Sequence, residues 1–186
     1  MIQKAERIIE AYQKVKPAGC GVIAMDGRAA AGKTTLAEEL AVTLGGAVVH
    51  MDDFFLPGEL RTPERLAAPG GNVHAERFAE EVLPYLRRGE AFRYRRFDCH
   101  RMDYNGWVEI PTVPVIIGEG PYCQCSQLGH YEDLTVFCDM APGDQKRRIT
   151  VRNGEEHWMV FREQWIPLEE KYLAEYHIKE NAMLTV

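Results

Sequence analysis

Apolar residues recur along this chain with two different periods. Ile2, Ala5, Ile8, Ile9, Tyr12 and Val15 fall at helical spacing with Pro17 and Gly19 behind them, which predicts an amphipathic helix over residues 2 to 15. Cys20-Gly21-Val22-Ile23-Ala24-Met25 is a short apolar run between turn residues, the pattern of a buried strand. Leu36, Leu40, Ala41 and Leu44 return to the helical period and stop at Gly45-Gly46. Ala47-Val48-Val49-His50 reads as a second buried strand that ends at Met51-Asp52-Asp53. Residues 56–72, rich in Pro and Gly, read as a loop, and Phe78, Val82 and Leu86 mark a helix closed near Gly89. Residues 90–112 keep neither period and read as irregular, dense in arginine and aromatics. Val113 to Ile117 and Leu134 to Cys138 predict a third and a fourth strand. A long helical region follows over about 143–180, broken at Gly154 and Pro167, and Leu184-Thr185-Val186 reads as a short last strand.

Strands with near-continuous apolar runs, alternating with helices, are the pattern of a parallel sheet covered on both faces. With no repeat or linker in view, residues 1–186 read as one domain. The length suits a single well-buried core, and 46% hydrophobic with 27% charged residues is ordinary for a soluble globular protein. No apolar run approaches the roughly 20 residues of a membrane span, and Met1 to Lys16 lacks the apolar centre of a secretory leader, so a cytoplasmic location is expected, with no membrane partner. The net charge of −6 weighs against a nucleic-acid partner. Five cysteines (Cys20, Cys99, Cys123, Cys125, Cys138) have no zinc-finger spacing, and Cys123-Gln124-Cys125 is one residue short of a redox pair, so reduced structural thiols are expected.

The chemistry concentrates in Gly27-Arg28-Ala29-Ala30-Ala31-Gly32-Lys33-Thr34, which fits the phosphate-loop pattern throughout. Glycines at both ends let the backbone curl with its N–H groups inward, and the next helix adds its positive end. Lys33 is placed to reach β and γ phosphates, and the Thr34 hydroxyl to ligate Mg²⁺. Thr35 supports the helix start and closes the predicted ATP-binding set, Gly27 to Thr35. Asp52 and Asp53 end the second strand at the sheet edge where α/β folds place ligands; a carboxylate there can take a proton from an acceptor hydroxyl and help hold the metal. The alternative is a helix cap or a solvated turn. Val115-Ile116-Ile117-Gly118-Glu119-Gly120 is an apolar strand ending in an acid, with the form of a Walker-B element in which Glu119 orients Mg²⁺.

Taken together, Gly27–Thr34, Met51-Asp52-Asp53-Phe54-Phe55 and Ile117-Gly118-Glu119-Gly120 resemble the uridine kinase and phosphoribulokinase group of P-loop kinases. That resemblance implies a three-layer α/β/α fold with a five-stranded, mostly parallel sheet in the order 2-3-1-4-5. It makes Asp52 the catalytic base, and Thr34, Asp52 and Glu119 the metal side. It places an acceptor-covering insertion at about 54–107 and a lid at about 143–157. The lid arginines would be Arg148 and Arg152, four apart and so on one helix face, with Arg147 next. Against the lid stands a plain basic stripe opposite Glu155 and Glu156. The weaker matches, Asn72-Val73-His74-Ala75-Glu76 and Phe97-Asp98-Cys99-His100-Arg101, depart from the family at His74, where it has Asp, and at Glu76, where it has Pro. Acceptor contacts are expected from Asp52, Phe55, His74, Arg96 and Arg101. The arginines between 87 and 101 read either as a solvated face paired with Glu80, Glu81 and Glu90 or as contacts to an acidic acceptor. Trp158, Phe161, Trp165, Leu168, Tyr172 and Tyr176 recur at helical spacing and read as core or a homodimer face.

The leading expectation is an ATP- and Mg²⁺-dependent kinase acting on the hydroxyl of a small-molecule acceptor, a uridine- or cytidine-like nucleoside being nearest, with a vitamin or sugar as the alternative. A nucleotide-binding regulatory protein would not need Asp52 and Glu119. A GTP switch would need an Asn-Lys-x-Asp motif, which the chain lacks.

Overall fold

The computed structural model describes residues 2–15, 17 and 19–186; Met1, Lys16 and Ala18, and the side chain of Ile2, lie outside the described residues, so the reading of Met1–Lys16 is covered only in part. Helix α1 (Ile2–Val15) leads into β1 (Gly21–Gly27), the phosphate loop and α2 (Lys33–Leu44). Strand β2 (Ala47–His50) ends in a 3₁₀ turn, Met51–Phe54. Three short helices, α3 (Pro63–Ala67), α4 (Ala75–Glu81) and α5 (Leu83–Leu86), precede an antiparallel hairpin of β3 (Phe92–Asp98) and β4 (Asp103–Ile110). Then come β5 (Val115–Glu119), β6 (Leu134–Cys138), α6 (Pro142–Asn153), α7 (Glu155–Val160), a π-helical turn (Phe161–Trp165), α8 (Ile166–Glu175), α9 (Ile178–Asn181) and β7 (Leu184–Thr185).

The sheet runs β2-β5-β1-β6-β7 with every neighbouring pair parallel. With the separate hairpin set aside, this is the order second, third, first, fourth, fifth. Side-chain alternation on β1 divides the interior in two. Ile23 and Met25 join Ile8 of α1 and Leu36 and Leu40 of α2 on one face. Val22 and Ala24 join Phe78, Val82, Tyr94, Tyr122 and Tyr172 on the other. That makes the three-layer α/β/α arrangement. Among the described residues no helix is long and apolar enough to cross a membrane, and the five cysteines are free, four of them buried.

Two predicted features differ. Residues 90–112 hold a hairpin rather than an irregular stretch: Phe92, Tyr94 and Phe97 point inward, but the register shifts between Arg95 and Phe97. That bulge breaks the period of two. The helix also ends at Gly154 but not at Pro167. The π turn widens the coil just before the proline, which sits in the first turn of α8, where a missing N–H costs least.

Candidate active site

The carboxyl ends of β1, β2 and β5 meet at one edge of the sheet, and the register sets Glu119 opposite Met25 on one side and His50 on the other. The phosphate loop curls across this edge because Ala30 (φ 62) and Gly32 (φ 90) both take the left-handed backbone. Gly27 (φ 132) lies so close to β6 that a Cβ would overlap the Cys138 carbonyl. Gly27→Ala is therefore expected to cost at least about 1–3 kcal/mol in backbone strain. Thermal unfolding checks this, with about 2–4 °C lost per kcal/mol.

Gly32 starts α2 with no side-chain cap, leaving the amides of the first turn directed at the cleft. Lys33 is buried; its Nζ donates to the carbonyls of Gly27 (2.6 Å) and Arg28 (3.1 Å) and has no carboxylate partner among the described residues. Its charge is open to an anion. Glu119, 4% exposed, accepts from the Thr34 hydroxyl at 3.2 Å, and its Oε1 lies 2.6 Å from His50 Nδ1. The hydrogen bond to Glu119 is the main cause that lifts the His50 pKa.

The two aspartates after β2 diverge. Asp53 is buried, accepts from the Tyr94 hydroxyl (3.0 Å) and pairs with Arg96 Nε (3.3 Å). The Asp52 side chain makes no hydrogen bond among the described residues; it is exposed on the side that opens onto the cavity, with protein packed densely around the rest. That enclosure first, and the Glu119 carboxylate next, push its pKa up to about 6. Thr34, Asp52 and Glu119 offer a hydroxyl and two carboxylates, the oxygen donors a hard cation such as Mg²⁺ takes. Among the described residues no three His, Cys, Asp or Glu side chains are gathered as a metal cage. Mg²⁺ needs none, since it binds through one or two carboxylates plus waters and phosphate oxygens.

These groups share one cavity of about 830 Å³. Ala29 to Thr35 line its phosphate end, and Asp52 and Glu119 its floor. Phe55, Arg61, Asn72, Arg96, Phe97, Asp98, Cys99 and His100 form the wall toward the hairpin. Arg148 and Arg152 of α6 face them, with Phe161 and Trp165 of the π turn. Arg148 Nη1 donates to the Ala30 carbonyl at 3.2 Å.

Four of the residues expected here stand elsewhere. Gly27 and Arg28 do not line the cavity; Arg28 makes a bidentate pair with Glu170 (2.7 and 3.1 Å) and a single contact through Nη1 with Asp139. His74 does not line the cavity; its backbone N–H is tied to the Phe54 carbonyl at the start of α4, and burial lowers its pKa. Arg101 sits exposed in the hairpin turn, its backbone N–H on Asp98. Glu76 serves structure: both its oxygens take Arg65 at 2.8 Å, which pins α3 to α4 and lowers its pKa to about 2. Of the aromatic stripe, Tyr172 is core, but Phe161 and Trp165 turn to the cavity because the π turn shifts the phase of the helix between them and α8.

Other functional candidates come only with the structure. Asp26 is fully buried and accepts from the Tyr172 hydroxyl (2.7 Å) and the amides of Gly27 (2.7 Å) and Gln124 (3.2 Å). Its one sequence signal is a lone carboxylate inside an apolar strand next to the loop. Arg61, anchored to the Leu56 carbonyl at 2.7 Å, lines the cavity and has no carboxylate partner among the described residues. Glu169 of α8 reaches the loop from 140 positions along the chain, which no local pattern signals.

The layer order, the phosphate loop after β1 and the acid that ends β5 together define a three-layer α/β/α fold built around a phosphate loop. Two solved structures share it over nearly their whole length. One is a possible uridine kinase from Bacillus stearothermophilus, with 19% identity, a TM-score of 0.74, and 98% of this chain and 97% of that one covered. The other, from Silicibacter sp. TM1040, is provisionally named a fructose transport system kinase, with 22% identity, a TM-score of 0.73 and 98% of each chain covered. No family model and no curated protein matches the sequence.

Proposed function

We propose that the protein is an ATP- and Mg²⁺-dependent kinase that transfers the γ-phosphoryl group to a hydroxyl of a small molecule. The observation that carries this reading is Asp52, a carboxylate without a partner among the described residues that faces the same cavity as the phosphate loop. In this reading Gly27 to Thr35 form the nucleotide side, with Gly27 and Arg28 shaping the loop from behind. Thr34, Asp52 and Glu119 would hold Mg²⁺, which with bound ATP supplies the phosphoryl group and offsets its charge. Asp52 accepts the acceptor's proton, while Lys33, Arg148 and Arg152 stabilise charge on the moving group. The chain acts as one domain, residues 54–107 covering the acceptor and 143–157 closing as a lid.

For the acceptor, a uridine- or cytidine-like nucleoside is the nearest class, with Phe55 and Phe97 offering ring faces. A sugar or other metabolite hydroxyl is the second reading. It is favoured by the polar side chains Arg61, Asn72, Asp98 and His100 on the acceptor wall, and by the absence of His74 from it. The test is ADP release over a panel of nucleosides, sugars and vitamins, with Lys33→Ala as the blank. We expect one class to raise ADP release well above that blank. ATP binding with no acceptor-dependent release anywhere in the panel would instead indicate a regulatory nucleotide-binding protein.

A further inference from the structure

The helix that follows the lid sends a carboxylate into the phosphate site that the transfer scheme does not use. Glu169, in the first turn of α8, is 5% exposed and lines the cavity. Its Oε1 accepts from the Ala29 N–H of the loop at 2.8 Å. An inward N–H of such a loop is what a phosphate oxygen takes. The adjacent Glu170 is neutralised by Arg28, but Glu169 has no ion-pair partner among the described residues. The charged and titratable groups that face it are Lys33 from α2, Asp26 from β1, Tyr122 from the segment after β5 and Glu170 from its own helix, with Arg148 of α6 across the cavity.

From this geometry we infer that Glu169 sets the nucleotide affinity of the loop: it holds the Ala29 N–H and the field of Lys33 in place of phosphate, and a triphosphate has to discharge or displace it. This rests on the reading of the loop as a nucleotide site. Two like charges a few ångströms apart in a partly dry cleft repel strongly, but the carboxyl escapes that cost by taking a proton, and doing so about one pH unit above its pKa caps the loss of affinity at about tenfold. Glutamine at this position keeps an acceptor for Ala29 and removes the charge. Burial pushes the Glu169 pKa up to about 7. The carboxyl is therefore neutral below that pH and opposes phosphate above it.

The test is equilibrium binding of the Mg²⁺ complex of the β,γ-imido analogue of ATP at pH 6 and pH 8. The proteins compared are the unmodified chain, Glu169→Gln, and Glu175→Gln, which removes an exposed charge from the same helix. Glu169→Gln is expected to bind about tenfold tighter at pH 8 and nearly equally at pH 6, while Glu175→Gln follows the unmodified chain. Should the glutamine variant fold poorly, Glu169→Ala carries the same expectation. Equal or weaker binding by the Glu169 variants at pH 8, or a gain that does not change with pH, overturns the inference while the nucleotide reading stands. If no folded protein in the set binds the analogue, the nucleotide reading falls and this inference with it.

Discussion

Asp52→Asn is expected to lower turnover by about 10²–10⁴-fold, the usual contribution of a positioned general base. The amide keeps the size of the side chain but cannot take the acceptor's proton. Nucleotide affinity should change far less, because the loop amides and Lys33 do not depend on Asp52 for their placement. The check is the rate of ADP release with saturating acceptor, beside an equilibrium measurement of nucleotide binding. Asp53→Asn supplies the contrast. It loosens the contacts to Tyr94 and Arg96, so its defect should show first in thermal stability. Wild-type turnover in Asp52→Asn would move the base elsewhere in the cavity.

The second large effect is expected at Arg148. Its guanidinium already rests on the Ala30 carbonyl, at the rim of the cavity where the γ-phosphoryl group would travel. Arginines that meet developing charge on a transferring phosphoryl group are worth about 10³-fold or more in rate. Arg148→Ala is expected to lose about that much turnover, and Arg148→Lys to recover little of it, since an ammonium cannot present two parallel donors. Single-turnover measurements separate this from a loss of binding. If Arg148→Ala turns over normally, α6 is a basic surface and not a lid.

How much of this the sequence revealed depended on distance along the chain. The phosphate loop is eight adjacent residues whose spacing is dictated by backbone curvature, so its place between β1 and α2 was legible, though not that Gly27 and Arg28 would stay off the cavity. Asp52 and Glu119 were legible because each ends an apolar strand, and strand ends in a parallel sheet share an edge. The hairpin was hidden by one bulge between Arg95 and Phe97. His74 and Arg101 were misplaced because the motif they belong to is only half present. His74 starts a helix there, and Arg101 caps a turn. Phe161 and Trp165 were read as core or a homodimer face because regular helical spacing puts them in the stripe of Tyr172, and no residue type announces a π turn. Asp26, His50 and Glu169 act through contacts made across 69 to 146 positions, which single-sequence patterns do not carry.

The ties between α8 and the base of the loop constrain how the arginine wall can travel. Tyr172 is fastened to Asp26 and Glu170 to Arg28, so this end of the helical arm is a fixed fulcrum. A swing of α6 toward the hairpin would have to be taken up between that fulcrum and the sheet, where Gly154 and the π turn interrupt the regular helix. If α6 closes as proposed, the arm would work as a lever with a clamped root, bending where its helix is already irregular, at Gly154 and over Phe161–Trp165.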